Sequence, residues 1–90
     1  MNEYTVLKLL TGQDIICMVN KTKTTEQLIE VDYPMLIINV SKGNAANLIY
    51  LKKYNLLSKN PSTVMRREHI LTSYVPQLEL VVHYKIYKKY

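Results

Sequence analysis

The chain has 90 residues, of which 48% are hydrophobic and 21% are charged, and its formal net charge is +5 at pH 7. This length allows one domain, residues 1–90, and the composition excludes an intrinsically disordered chain. No apolar run approaches the ~20 residues of a membrane-spanning helix, so we expect no membrane partner. The basic charge favours acidic partners such as nucleic acid.

Cys17 is the only cysteine in the chain, which excludes a disulfide framework. It lies in the apolar run "DIICMV", where a free cysteine usually acts as a small buried hydrophobe rather than as a nucleophile. The chain begins "MNEYTV" without a leader pattern, so we expect a reducing, cytoplasmic compartment. Because so short a chain buries a small core, we also expect it to associate with itself.

Five segments rich in β-forming residues follow one another along most of the chain. They are residues 4–10, 15–20, 27–40, 48–54 and 64–74, and polar stretches such as "TGQD", "KTKTTE", "SKGNAAN" and "NLLSKNPST" separate them. No crossover helix is predicted between any two of these strands. The pattern therefore predicts a mostly β fold, a five-stranded antiparallel sheet bent into a small barrel.

The third strand is interrupted by the triplet Asp32-Tyr33-Pro34 at the head of an apolar run. The alternation that begins before the triplet places Tyr33 on the same face as Ile29 and Val31. Proline cannot donate to a sheet ladder and holds the preceding residue in an extended conformation. We therefore predict a bend at Pro34, with two alternatives for its role: it presents its neighbours to a ligand, or it only bends the strand while Tyr33 packs between subunits.

The tail, from residue 75 to residue 90, fits two patterns. Its apolar residues alternate as in a strand, yet they also lie on one helical face, formed by Leu78, Val81, Val82 and Ile86. Pro76 suits a first helical turn, and the lysines near the end suit a helix carboxyl terminus. We predict a helix over about 76–89, with a sixth strand as the alternative.

The sequence contains no recognisable catalytic or metal-binding constellation. His69 and His83 have no cysteine or acid at ligand spacing, so neither a metal site nor a cofactor is predicted. Two glycines in the whole chain are too few for a phosphate-binding loop.

Asp14 and Asp32 could form the acid and base of a small hydrolase if the fold brought them together. Each, however, stands at an ordinary carboxylate position, one after a turn glycine and one before a bend. We therefore expect a protein that is not an enzyme, with hydrolysis as the weakest of three hypotheses.

Three stretches of the chain resemble motifs of the Sm-like family. "LLTGQDIICMV" is similar to the opening of the first Sm motif, "DYPM" to its ligand-facing loop, and "MRREHI" to the second motif. The small divergent Sm-like proteins of phages are the most similar in size. The resemblance implies a bent-sheet barrel over about 4–74, a homo-oligomeric ring of about five to seven subunits, and binding of single-stranded RNA. For a phage protein, the compartment would be the host cytoplasm.

The resemblance also implies which residues contact RNA. Asp32, Tyr33 and Met35 correspond to the family's binding loop, where Tyr33 or Met35 would lie against a base. Arg66 or Arg67 would reach phosphate or stack on a base from the neighbouring loop.

Three positions depart from the family pattern. The usual stacking position falls on Pro34, with Tyr33 displaced by one residue. Leu36 stands where the family's uridine pocket has asparagine, which implies only a weak preference for uridine. Glu68 stands where the second motif has glycine.

The alternative function is a protein-interaction or phage structural module that uses the ring without RNA. The segments "LKKY" and "KIYKKY" resemble nucleic-acid surfaces, but lysines also protect edge strands from aggregation.

Overall fold

The structure is a computed structural model, and it describes residues 2–20, 24–40, 48–54 and 62–87. This part of the chain contains six β-strands, one short 3-10 helix and one α-helix. The strands are β1 (Asn2–Leu9), β2 (Asp14–Asn20), β3 (Leu28–Val40), β4 (Leu48–Lys53), β5 (Ser62–Arg66) and β6 (Ile70–Tyr74). The 3-10 helix is Arg67–His69, and the α-helix, α1, is Leu78–Tyr87.

The strands form one antiparallel sheet in the order β4-β3-β2-β1-β6. The longest strand, β3, has 13 residues and pairs with β2 along one edge. Along its other edge it pairs with β5 through its first half and with β4 through its second half. The two halves of β3 therefore point in different directions, and the sheet bends where they meet.

A β-bulge produces this bend. Two residues of β3, Tyr33 and Pro34, lie opposite one residue of β2, Cys17. An extra residue on one strand increases the local twist and bends that strand. The predicted bend at Pro34 is thus present, and the bulge also places there a residue without an amide donor.

The bulge also reverses which side chains face which side of the sheet. Before it, Ile29 and Val31 pack into one core cluster, whereas after it Leu36 packs against that cluster and Met35 joins the other. Because side chains alternate with a period of two, one extra residue shifts every later side chain to the opposite face. The alternation in the sequence before Pro34 therefore does not continue beyond it.

Two core clusters lie on the two faces of the sheet. The first consists of Leu7, Leu9, Ile15, Cys17, Ile29 and Val31. The second consists of Val6, Ile16, Met35 and Tyr84, with Tyr4, Met18, Ile37, Leu51 and Leu80 packed against it. The second cluster includes residues of α1, so the helix covers one face of the sheet.

The predicted helix is confirmed, and its start is two residues later than Pro76. The amide of Val81 donates to the carbonyl oxygen of Gln77 at 3.1 Å, which makes Gln77 the residue just before the first turn. Pro76 is buried and precedes the helix. No helix in the described ranges is long and apolar enough to cross a membrane.

The predicted mostly β fold is confirmed, with two differences of detail. The fifth predicted strand is divided into β5 and β6 because Arg67–His69 forms a 3-10 helix between them. This turn moves the chain from β3, the partner of β5, to β1, the partner of β6. Over the described residues the sheet is bent but not closed.

Candidate functional site

Tyr33 is an exposed aromatic residue on a strained backbone. Its φ is 50°, and it is the one non-glycine residue with positive φ in the described part of the chain. Its side chain is 43% exposed. A non-glycine residue in the left-handed region costs of order 1–3 kcal/mol and persists only where its surroundings hold it there.

Contacts from the helix hold the bulge in place. The hydroxyl of Tyr84 donates to the carbonyl oxygen of Tyr33 at 2.8 Å and to that of Asp32 at 3.1 Å. Tyr84 is 0% exposed, and its ring meets the ring of Tyr4 edge-on, with 5.8 Å between centroids. One phenol on α1 thus satisfies two backbone acceptors of the bulge.

Two further contacts fix the strand on either side of Tyr33. The hydroxyl of Ser62, on β5, donates to the Asp32 carboxylate at 2.6 Å. The amide of Tyr54 donates to the carbonyl oxygen of Pro34 at 3.1 Å. Asp32 therefore has a structural bond to β5, and the backbone around Tyr33 is anchored by three separate elements of the fold.

Met35 was predicted to lie against a base, and the structure places it elsewhere. Its side chain is 5% exposed and packs with Val6, Ile16 and Tyr84 beneath the helix. The bulge is the reason, because it directs the residue after Pro34 toward the second core cluster. Met35 is therefore a core residue and not part of the exposed surface around Tyr33.

Arg66 and Arg67 lie at the turn between β5 and β6, and both are exposed. The Nε of Arg67 donates to the carbonyl oxygen of Thr25 at 2.8 Å, and its amide donates to that of Gln27 at 2.9 Å. These two bonds fix the Arg67 guanidinium against the segment before β3. A guanidinium held in this way presents its remaining N–H groups in one direction.

Arg66 is less firmly held. Its Nη1 lies 3.4 Å from a carboxylate oxygen of Glu68, and both side chains are about two-thirds exposed. An exposed ion pair of this kind contributes about 0–1 kcal/mol, so an incoming anion displaces it easily.

An open groove of about 600 Å³ runs beside the two arginines. Its lining residues are Glu26, Gln27, Leu28, Arg66, Arg67 and Glu68. The groove thus has charges of both signs, with a leucine and a glutamine between them. This composition suits an extended ligand whose charged groups are spaced apart from one another.

The structure does not bring Tyr33 and the arginines into direct contact. Asp32, the neighbour of Tyr33, pairs with Ser62 on β5, whereas Arg66 pairs with Leu28. Four residues along a strand correspond to about 13 Å. A single mononucleotide cannot contact both, but an extended strand that follows β5 can.

The two carboxylates of the hydrolase hypothesis also lie apart. On β2, Asp14 and the partner of Asp32, Met18, are four residues apart, which again corresponds to about 13 Å. Asp14 lies 3.5 Å from the Nζ of Lys8. Asp14 and Asp32 therefore do not form an acid–base pair. Among the described residues, no group of three or more histidine, cysteine or acidic side chains could hold a metal ion.

Cys17 is buried opposite the bulge. Burial, and then the negative charge of Asp32, raises the pKa of its thiol to about 12. Its Sγ donates to the carbonyl oxygen of Thr5 at 3.6 Å. A thiol with so high a pKa is a poor nucleophile at neutral pH, as the sequence indicated.

The two side chains that hold the bulge, Tyr84 and Ser62, are not predicted from the sequence. Ser62 had been placed in a loop, although β5 begins there. Tyr84 is one of eight tyrosines, and its spacing from Leu80 in the predicted helix was the only available signal for a buried ring.

Comparison with known proteins adds no family. No protein-family model matches the chain, and no curated protein matches it either.

Proposed function

We propose that the protein binds single-stranded RNA without catalysis, as a homo-oligomeric Sm-like ring. The binding surface extends along β5 from Tyr33 to Arg66 and Arg67. Tyr33 supplies a ring on which a base stacks, and the arginines contact phosphates.

The observation that supports this proposal most is the exposed, strained Tyr33. A positive φ at a tyrosine is unfavourable, yet contacts with Tyr84, Ser62 and Tyr54 hold the backbone around it. Strained residues of this kind are concentrated at ligand-binding positions, and contacts in the surrounding fold maintain the strain. Stacking of a base on an aromatic ring contributes about 1–3 kcal/mol and tolerates any sequence.

The charge of the chain supports an anionic ligand. The net charge is +5, and Arg67 presents a fixed guanidinium beside an open groove. Contacts to phosphate make affinity depend on salt, since each neutralised phosphate releases counterions. With Leu36 partly buried in β3 there is no side-chain donor at that position to read a base edge, so we expect little discrimination between uridine and adenine.

The edges of the sheet support the ring. In the described part of the chain, β5 has one strand neighbour, β3, and β6 has one, β1. Val64 on β5 and Leu71 on β6 are both more than half exposed. Pairing of β5 from one copy with β6 from the next would cover these side chains and extend the sheet from subunit to subunit.

Two measurements test the proposal. Native mass spectrometry should show a closed oligomer, and a monomer of 10.5 kDa at micromolar concentration would contradict the ring. Fluorescence anisotropy with labelled oligouridine and oligoadenine should show binding that weakens as salt rises. Failure to bind either oligomer at low salt would contradict the RNA proposal.

A second function, a protein-interaction module, has one observation in its favour. Glu26 and Glu68 line the same groove as the two arginines, and carboxylates repel phosphates. A peptide with charges of both signs would match this groove better than RNA would. Purification with and without ribonuclease separates the two functions: an RNA-binding protein should lose ultraviolet absorbance at 260 nm after treatment, whereas a peptide-binding module should not.

A further inference from the structure

The outer face of α1 is apolar and exposed. Leu78, Val82 and Ile86 lie four residues apart and form one ridge along the helix, and Val75 extends this ridge beyond its amino-terminal end. Leu78 is 78% exposed and Val75 is 87% exposed. We call these four residues the outer stripe. It lies opposite Tyr84 and Leu80, which face the sheet.

The outer stripe is not explained by the fold of one copy. A helix on the surface of a monomer normally has one apolar face, which packs on the core, and a polar face toward water. In α1 the core-facing side and the outer side are both apolar. A contiguous apolar patch of this kind on a small protein usually indicates an interface.

We propose that the outer stripe binds the same stripe of a second copy, as an antiparallel pair of helices related by a two-fold axis at Val82. In this arrangement Leu78 of each copy lies opposite Ile86 of the other. Within the helix the stripe is centred on Val82, with Leu78 and Ile86 four residues on either side, and this part is therefore self-complementary, as a two-fold interface requires.

The charged residues beside the stripe fit the same arrangement. Helix geometry places Glu79 and His83 on one flank and Lys85 on the other. In an antiparallel pair the two-fold axis brings the same flank of both helices together. Glu79 of one copy therefore lies beside His83 of the second copy, and a ring N–H of the histidine can donate to the carboxylate. Like charges lie about 9 Å apart along the helix axis, close to the screening length of about 10 Å at 0.1 M salt.

The small core makes a second copy the more favourable occupant. A 90-residue chain buries a modest share of its surface, and burying the stripe adds apolar area that one copy cannot cover. An interface of four side chains from each copy is small, so we expect a weak, concentration-dependent dimer. This pairing uses the helix and not the strand edges, so it is independent of the proposed ring.

Cysteine cross-linking tests the position of the axis. In Val82→Cys the two thiols meet on the axis, and we expect rapid disulfide-linked dimer formation under mild oxidation with copper phenanthroline. Leu10→Cys is the matched control, because Leu10 is as exposed as the stripe residues but lies on the β1–β2 turn. Cys17 is buried and should not react in either variant. Equal cross-linking rates for the two variants would overturn the proposal.

Sedimentation velocity over a concentration series tests the stripe without a covalent bond. Leu78→Glu and Val82→Glu should each halve the mass of the assembly, whether that assembly is a dimer or a pair of rings, while circular dichroism stays that of the wild type. Both positions are exposed, so neither variant should unfold. An unchanged mass in both variants would refute the second copy. So would a wild type that stays at the lower mass at every concentration but floats with anionic phosphatidylglycerol vesicles, which would assign the stripe to a lipid surface.

Discussion

Replacing Tyr84 by phenylalanine tests whether the helix holds the strained bulge. The substitution removes one hydroxyl and leaves the ring, so the packing against Tyr4 and the second core cluster remains. What it removes are the two bonds that the hydroxyl donates to the carbonyl oxygens of Asp32 and Tyr33.

The expected loss in the free energy of unfolding follows from the two hydrogen bonds that these carbonyl acceptors lose. Because one hydroxyl proton is shared between them, the contribution corresponds to one good hydrogen bond and one weaker one. A buried acceptor that loses its partner costs about 1–3 kcal/mol, so we expect Tyr84→Phe to lower the free energy of unfolding by that amount. For a domain of this size, Tm falls by about 4–8 °C for each kcal/mol.

Thermal unfolding followed by circular dichroism measures this effect. The matched control is Tyr87→Phe, since Tyr87 lies on the same helix with an exposed side chain. A Tm for Tyr84→Phe that equals the Tm of Tyr87→Phe would refute the role of the hydroxyl. In an NMR spectrum of the backbone amides, the largest chemical-shift changes should occur around Tyr33 and at Tyr54. The amide of Tyr54 donates to the carbonyl oxygen of Pro34, the next residue of the bulge.

Three further predictions concern the bulge, the turn and the buried thiol. Tyr33→Gly and Tyr33→Ala should weaken RNA binding equally, by about 1–3 kcal/mol. Only glycine relieves the positive φ, so Tyr33→Gly should be the more stable of the two in denaturant unfolding, and the reverse order would contradict the strain. Arg66→Gln and Arg67→Gln should each reduce the slope of log affinity against log salt by about 0.7, the value for one phosphate contact on a single strand. An unchanged slope in anisotropy titrations would show that the substituted arginine does not contact phosphate. Because burial raises the pKa of Cys17 from 9.0 to about 12, the folded state holds the thiol proton more tightly than the unfolded state does. The contribution of Cys17 to the free energy of unfolding should therefore be constant below pH 9 and fall between pH 9 and pH 12 by at most about 1.4 kcal/mol per pH unit. Cys17→Ala should show a shallower fall in the same denaturant series, and an identical fall would contradict the raised pKa.

Local patterns were sufficient to predict most of the fold. β-Forming residues and turns predicted the strands, and the position of Pro34 predicted the bend. Helical spacing in the tail predicted α1. In each case the signal lies within a few residues of the element it describes.

The contacts between distant segments could not be read in the same way. Tyr84 bonds to a strand about fifty residues earlier in the chain, and no local pattern distinguishes it from Tyr87, which is exposed. The division of the last predicted strand at Arg67 has the same origin. The division arises because β5 pairs with β3 and β6 with β1, and strand pairing depends on the whole sheet.

The error at Met35 has a single physical cause. Sequence alternation assigns faces by counting residues, and one extra residue in a bulge changes the count for every position beyond it. Tyr33 lies within the bulge and is exposed, whereas Ile29 and Val31, on the same face by simple alternation, are buried. Met35 lies just after the bulge and is buried, although the motif had placed it at the ligand. Both assignments follow once the extra residue is placed at Tyr33-Pro34 opposite Cys17, because the strand must then restart its alternation at Met35.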